Sequence, residues 1–151
     1  MRKVLMIIII VFLIPVISSS AGKKNEGTPV EFEVIDASNQ GGLTENSNLI
    51  AKKEADFAYI WDLTHRTIEP KPLMPSVDFG KFMVAAVMMG ERNSSGYSVD
   101  ISNITAYDDS VVVSVFYNEE GGMLTIMTYP FQIIKFPITN KKVVFTKTIE
   151  K

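Results

Sequence analysis

Val77-Asp78-Phe79-Gly80-Lys81-Phe82-Met83-Val84-Ala85-Ala86-Val87-Met88-Met89 leads into Gly90-Glu91-Arg92-Asn93-Ser94-Ser95-Gly96, and the chain resumes as Tyr97-Ser98-Val99-Asp100-Ile101. An apolar run, a polar turn bounded by glycines and a stretch alternating apolar with polar residues together spell strand, loop, strand. Phe82 to Met88 is apolar on both faces, which predicts a central strand covered on both sides. Gly90 and Gly96 supply the unusual dihedrals that a tight connection needs. Between them stand a planar donor fork on Arg92 and short hydrogen-bonding groups on Asn93, Ser94 and Ser95, with the stiff ring of Tyr97 at the exit. That mixture is typical of protein-binding loops.

Towards the C-terminus the chain stays strand-like. Val99 and Ile101 keep phase, then the apolar position slips to Ile104, which predicts a bulge near Asn103. Asp108-Asp109-Ser110 is a turn, and the β-branched and aromatic run Val111 to Tyr117 is a strand. Asn118 to Gly122 has the composition of a hairpin loop, and Met123 to Tyr129 alternates as a further strand until Pro130 breaks it. Phe131 to Phe136 follows, Pro137 to Asn140 turns, and Val143-Val144-Phe145 begins the last strand.

Towards the N-terminus the period changes. Phe57, Ile60 and Trp61 fall at helical spacing, acids occupy the first turn, and His65-Arg66 follow the last, predicting one helix from about residue 53 to 64. Trp61 on that apolar face is expected in the core. Pro70, Pro72 and Pro75 make Glu69 to Pro75 an extended connector. Val30 to Ile35 alternates as a half-buried strand with Ile35 out of phase, Asp36 to Asn48 is a long loop, and Leu49-Ile50-Ala51 is a short strand. The expected class is mainly β with a minor α contribution: a small antiparallel β sandwich or open barrel with one early helix.

Met1-Arg2-Lys3, an apolar stretch from Val4 to Ile17 and the small-residue exit Ser18-Ser19-Ser20-Ala21 form the three parts of a secretory signal peptide over 1–21. The apolar run falls short of the roughly 20 residues that a membrane span needs. Residues 22–29 read as a flexible arm and 30–151 as a single domain. The expectation is an exported protein (periplasmic, surface or extracellular) without a stable membrane anchor after cleavage.

The chain has no cysteine, which removes disulfides, thiol catalysis and thiolate metal sites. A net charge of −2, with no clustered basic run, argues against nucleic acid. His65 is the only histidine and no nucleophile motif accompanies it, so a helix-end role is favoured over catalysis. One histidine without cysteine excludes the common zinc sets, and Asp108-Asp109 and Asn118-Glu119-Glu120 lack calcium-loop spacing. Gly90 to Gly96 lacks the Lys-Ser/Thr ending of a phosphate loop. No catalytic residue, metal or cofactor is expected.

Asp78-Phe79 before the hydrophobic strand, then Gly90, Ser94, Ser95, Gly96, Tyr97, Ser98, Val99 and Ile101, resemble the C-terminal domain family of PrcB, a non-catalytic subunit of a bacterial surface protease complex. Thr128-Tyr129-Pro130-Phe131 through Pro137, and Val143-Val144-Phe145, resemble later elements of that family. Ser94-Ser95 stands where the family usually has Thr-Gly. The resemblance spans about residues 48 to 146 and implies an exported partner of a protease. Ser95-Gly96-Tyr97 also echoes the Thr-Gly-Tyr loop of chagasin-type protease inhibitors, which makes inhibition the alternative. The expected function is therefore non-enzymatic protein binding. Glu91, Arg92, Asn93, Ser94, Ser95 and Tyr97 would touch the partner, which the resemblance implies is a protease, and Gly90 and Gly96 would shape the loop.

Overall fold

A computed structural model describes residues 26–148. The signal peptide expected at 1–21, and residues 22–25 of the expected arm, lie outside the described residues. The elements run β1 (Thr28–Pro29), β2 (Glu33–Ser38), β3 (Ser47–Ala51), α1 (Glu54–Thr64), β4 (Phe82–Met88), β5 (Ser98–Ala106), β6 (Ser110–Asn118), β7 (Phe131–Pro137) and β8 (Lys142–Thr148). They form two four-stranded sheets, β1-β5-β6-β8 and β2-β7-β4-β3. The sheets do not close into a barrel; the fold is a β sandwich with one helix.

β4 is the central strand that its two-sided apolarity predicts. Met83, Ala85, Val87 and Met89 face the space between the sheets, where they meet Val99, Ile101 and Ile104 of β5 and Val111, Val113 and Val115 of β6. Val84, Ala86 and Met88 face the other way, onto Phe57, Ile60 and Trp61 of α1. A residue run that is buried on both faces must be apolar throughout, because successive side chains of a strand point to opposite sides.

The helix forms where its apolar spacing places it. Phe57 and Trp61 meet edge-on with ring centroids 5.8 Å apart. Trp61 buries its ring while its Nε1–H donates to the Pro72 carbonyl at 3.1 Å, tying the proline connector across the helix. Aromatic burial with a satisfied N–H is the usual resolution for tryptophan in a core.

The expected bulge near Asn103 is present as a register shift between Ile101 and Asn103 in the β5–β6 pair. A second shift, between Val34 and Asp36 in the β2–β7 pair, explains why Ile35 falls out of phase in the sequence. Ile35 joins the cluster beneath the helix.

The structure departs from the sequence reading at four places. Thr28–Pro29, in the stretch read as a flexible arm, pairs with Thr105 and Ala106, because the end of β5 leaves its ladder groups open there. β2 begins at Glu33 and runs to Ser38, into the stretch read as loop. β8 lies parallel to β6, from Ser110↔Lys142 to Phe116↔Thr148, whereas an all-antiparallel sandwich was expected. The reason is topological: the chain leaves β6, crosses to the other sheet, returns along β7 and re-enters the first sheet beside β6 in the original direction. Finally, 119–130 is that crossing and not a hairpin, and Met123 to Met127 forms no strand.

Candidate functional site

The loop from Gly90 to Tyr97 joins β4 to β5 at one end of the sandwich. Gly90 and Gly96 have φ of +79° and +92°, in the region that side chains disfavour. A Cβ on Gly90 would lie 2.8 Å from the Thr44 carbonyl oxygen and 2.9 Å from the Asn46 nitrogen. Gly90→Ala is therefore expected to cost about 1–3 kcal/mol, read as a lowered midpoint in urea unfolding, since both the dihedral and rigid backbone neighbours oppose it.

The loop does not stand alone. It is laced to the crossing segment 119–130 and to Asn118 at the end of β6. Arg92 and Thr128 exchange backbone hydrogen bonds, each of 2.8 Å. Ser95 N–H donates to the Leu124 carbonyl at 2.9 Å, and Gly122 N–H donates to the Ser95 carbonyl. Thr128 Oγ1 donates to the Ser94 carbonyl at 3.0 Å, and Asn118 Nδ2 donates to the Gly96 carbonyl at 2.9 Å. Leu124 N–H donates to Ser95 Oγ at 3.3 Å. The backbone and hydroxyl groups of Ser94 and Ser95 are thus largely spent inside the molecule.

The remaining expected residues face outward to different degrees. Glu91 and Asn93 are exposed, and Arg92, Ser94, Ser95 and Tyr97 are half-buried. The Arg92 guanidinium stands 5.9 Å from the Tyr97 ring centroid and donates to the Glu91 carbonyl at 2.7 Å. Tyr129 OH donates to Glu91 Oε2 at 2.9 Å, which raises the phenol above its ordinary value of 10.0. The folded state therefore favours the protonated phenol; this tie is present below the ordinary tyrosine range and is lost as pH rises through the raised value. Lys147 hydrogen-bonds Glu119 at 2.7 Å and holds its carboxyl below the usual range, so that contact persists at neutral pH and is lost in acid.

The crossing segment supplies what the sequence reading missed. Met123 is fully exposed, and Leu124, Met127 and Ile126 are 63%, 53% and 49% exposed. Four large apolar side chains within five residues form a ridge beside the polar loop. Isolated apolar residues on a surface are ordinary, but a contiguous rimmed patch is the signature of an interaction surface. Met123 to Tyr129 alternates, which predicts a strand because alternation usually means that one face is packed; residues 123–127 are instead exposed throughout.

Among the described residues, no group of three or more His, Cys, Asp or Glu is placed to hold a metal ion. His65 is enclosed, with no exposed side-chain surface, and its Nε2 lies 2.7 Å from Oδ2 of the half-buried Asp36. No helix of the described residues is long and apolar enough to cross a membrane.

The loop, the ridge and the strands that carry them occupy one continuous stretch from β4 to β7. Residues 83–137 match the family described as PrcB C-terminal. The resemblance read from Gly90 to Ile101 is borne out over that stretch. No curated protein and no solved structure matches the chain. The PrcB C-terminal match begins inside β4 and ends with the last residue of β7, so both members of the loop pair lie within it.

Proposed function

We propose that this chain is an exported, non-catalytic protein-binding domain that acts as an accessory subunit of a protease complex and grips its partner with the paired tip formed by 90–97 and 121–128. The exposed ridge Met123, Leu124, Ile126 and Met127 is the observation that carries this reading. It supplies desolvation energy, about 1.5–3 kcal/mol for each leucine-sized side chain that becomes fully buried. Arg92, Glu91 and Asn93 beside it supply the polar rim that fixes orientation. Methionine suits such a surface because its unbranched, polarizable chain adapts to the opposing groove.

A lipid surface is the less favoured recipient. Membrane-seated apolar loops are flanked by lysine and arginine. Here Glu91, Glu119 and Glu120 flank the ridge, against Arg92 alone within the two loops.

The test is capture from the source cell's envelope fraction, followed by assay of any captured protease with and without the purified domain. An accessory subunit forms a stable complex and leaves cleavage unslowed. Slowed cleavage assigns the tip to inhibition. Capture of no protease overturns the protease-complex part of the proposal.

A further inference from the structure

We propose that Met123 and Met127 form an oxidation site: a peroxide converts both to sulfoxides, turns the exposed ridge from apolar to polar, and so blocks association of the free domain with its partner. The chemistry stands on exposure alone, and its consequence for association rests on the reading of the tip given above. The chain has no cysteine, so the thiols that a peroxide usually meets first are absent and the thioether of methionine takes their place.

The fold sorts the methionines by access. Met83, Met88 and Met89 lie in β4 or directly after it, with 0%, 1% and 0% of their surface exposed. Met74 is half-buried against the cluster beneath the helix. Met123 is fully exposed and Met127 is half exposed, and both stand on the ridge. A dissolved oxidant reaches only what solvent reaches, so the two ridge sulfurs react in the native state, whereas the core sulfurs must wait for the fold to open. Leu124 and Ile126, between them, hold no sulfur. The oxidant therefore changes the ridge and leaves the core as it is.

The step needs no protein group. A lone pair on Sδ attacks one oxygen of hydrogen peroxide. The S–O bond forms, the O–O bond breaks, and the remaining oxygen leaves with both hydrogens as water. Sulfur gives up two electrons and the peroxide takes them. The product carries a polar S=O acceptor where a flexible apolar chain stood. In the free domain that oxygen faces water, so folding is indifferent to it. Against a partner's apolar surface it would be buried without a donor, which opposes association. The step is reversible: a methionine sulfoxide reductase returns the thioether and water while two thiols are oxidised to a disulfide.

The test treats the purified protein with dilute hydrogen peroxide. Peptide mass spectrometry should show one added oxygen on Met123 and one on Met127, at rates at least about tenfold above those of Met83, Met88 and Met89. The urea midpoint should stay where it was. Retention on a phenyl hydrophobic-interaction column should fall, a readout that needs no partner. Capture of the partner should weaken about tenfold or more and recover on treatment with the reductase. In the double variant Met123→Leu with Met127→Leu, which keeps apolar area and removes both sulfurs, retention and capture should not change on peroxide treatment, whatever their starting values. Oxidation of the core methionines as fast as Met123, or an equal fall in retention in the leucine variant, overturns the site. Selective oxidation that leaves capture unchanged overturns the switch, and the tip reading survives it if the aspartate double variant at the same two positions still loses capture. Capture of no partner at all counts against the tip reading, and the oxidation site is then decided by the mass and retention readouts.

Discussion

His65→Ala is expected to destabilise the fold by about 3–5 kcal/mol, measured as the loss in urea unfolding free energy. The ring is fully buried and stacks on Trp61 with centroids 3.9 Å apart, while Phe131 meets it edge-on at 5.3 Å. Its Nδ1 lies 2.9 Å from the Trp61 carbonyl oxygen and 3.0 Å from Thr64 Oγ1. Its Nε2 lies 2.7 Å from Asp36 Oδ2. Alanine would leave a cavity between helix and sheet and a carboxylate without its partner, while the Trp61 carbonyl would keep the backbone N–H of residue 65 and Thr64 Oγ1. Asp36→Ala removes only the half-exposed end of the same tie and should cost less, about 1–3 kcal/mol. Equal stability of His65→Ala and wild type would show that this contact does not hold α1 to β2.

The second large effect concerns binding and not folding. Met123→Asp together with Met127→Asp should weaken partner capture at least a hundredfold, read by titrating the captured partner in a surface-binding assay. Both side chains are exposed, so the double variant should melt within a degree or two of wild type, as surface substitutions generally do. Arg92→Ala should weaken capture by less, about tenfold, because the guanidinium lies on the rim and is shared with Tyr97 and the Glu91 carbonyl. Loss of binding accompanied by unfolding would instead mean that the ridge is a structural part of the loop pair.

Much of the scaffold was legible because its signals are local. Two-sided apolarity marked β4, the phase slip at Asn103 marked the β5 bulge, and the spacing of Phe57, Ile60 and Trp61 marked the helix. The features that escaped depend on partners distant in sequence. His65 could be placed at a helix end from its neighbours, but its bond to Asp36, twenty-nine residues earlier, is set by how α1 packs across β2. The parallel placement of β8 follows from the path through β7 in the opposite sheet and leaves no mark on Lys142–Thr148 itself.

The candidate site was legible in half. Gly90, Gly96 and the polar residues between them identified the loop, and its glycine dihedrals are as the turn requires. Its companion was misread, since Met123 to Tyr129 alternates like a strand. At that end of the sandwich its neighbours are the curved 90–97 loop and the stretch around Gln40, and pairing shrinks to two isolated bridges, Arg92 with Thr128 and Gln40 with Tyr129. The apolar positions that would have packed in a strand are left facing solvent.

The central claim is that the two laced loops, and not the helix face, meet a protein partner. Site-specific photocrosslinking tests it most directly, with a benzophenone side chain placed at Met123 in one variant and at Tyr59, exposed on the helix, in another. In the source cell's envelope fraction the Met123 variant should crosslink to one discrete protein, and the Tyr59 variant should not. Crosslinking to that protein from Tyr59 with none from Met123 would contradict the account.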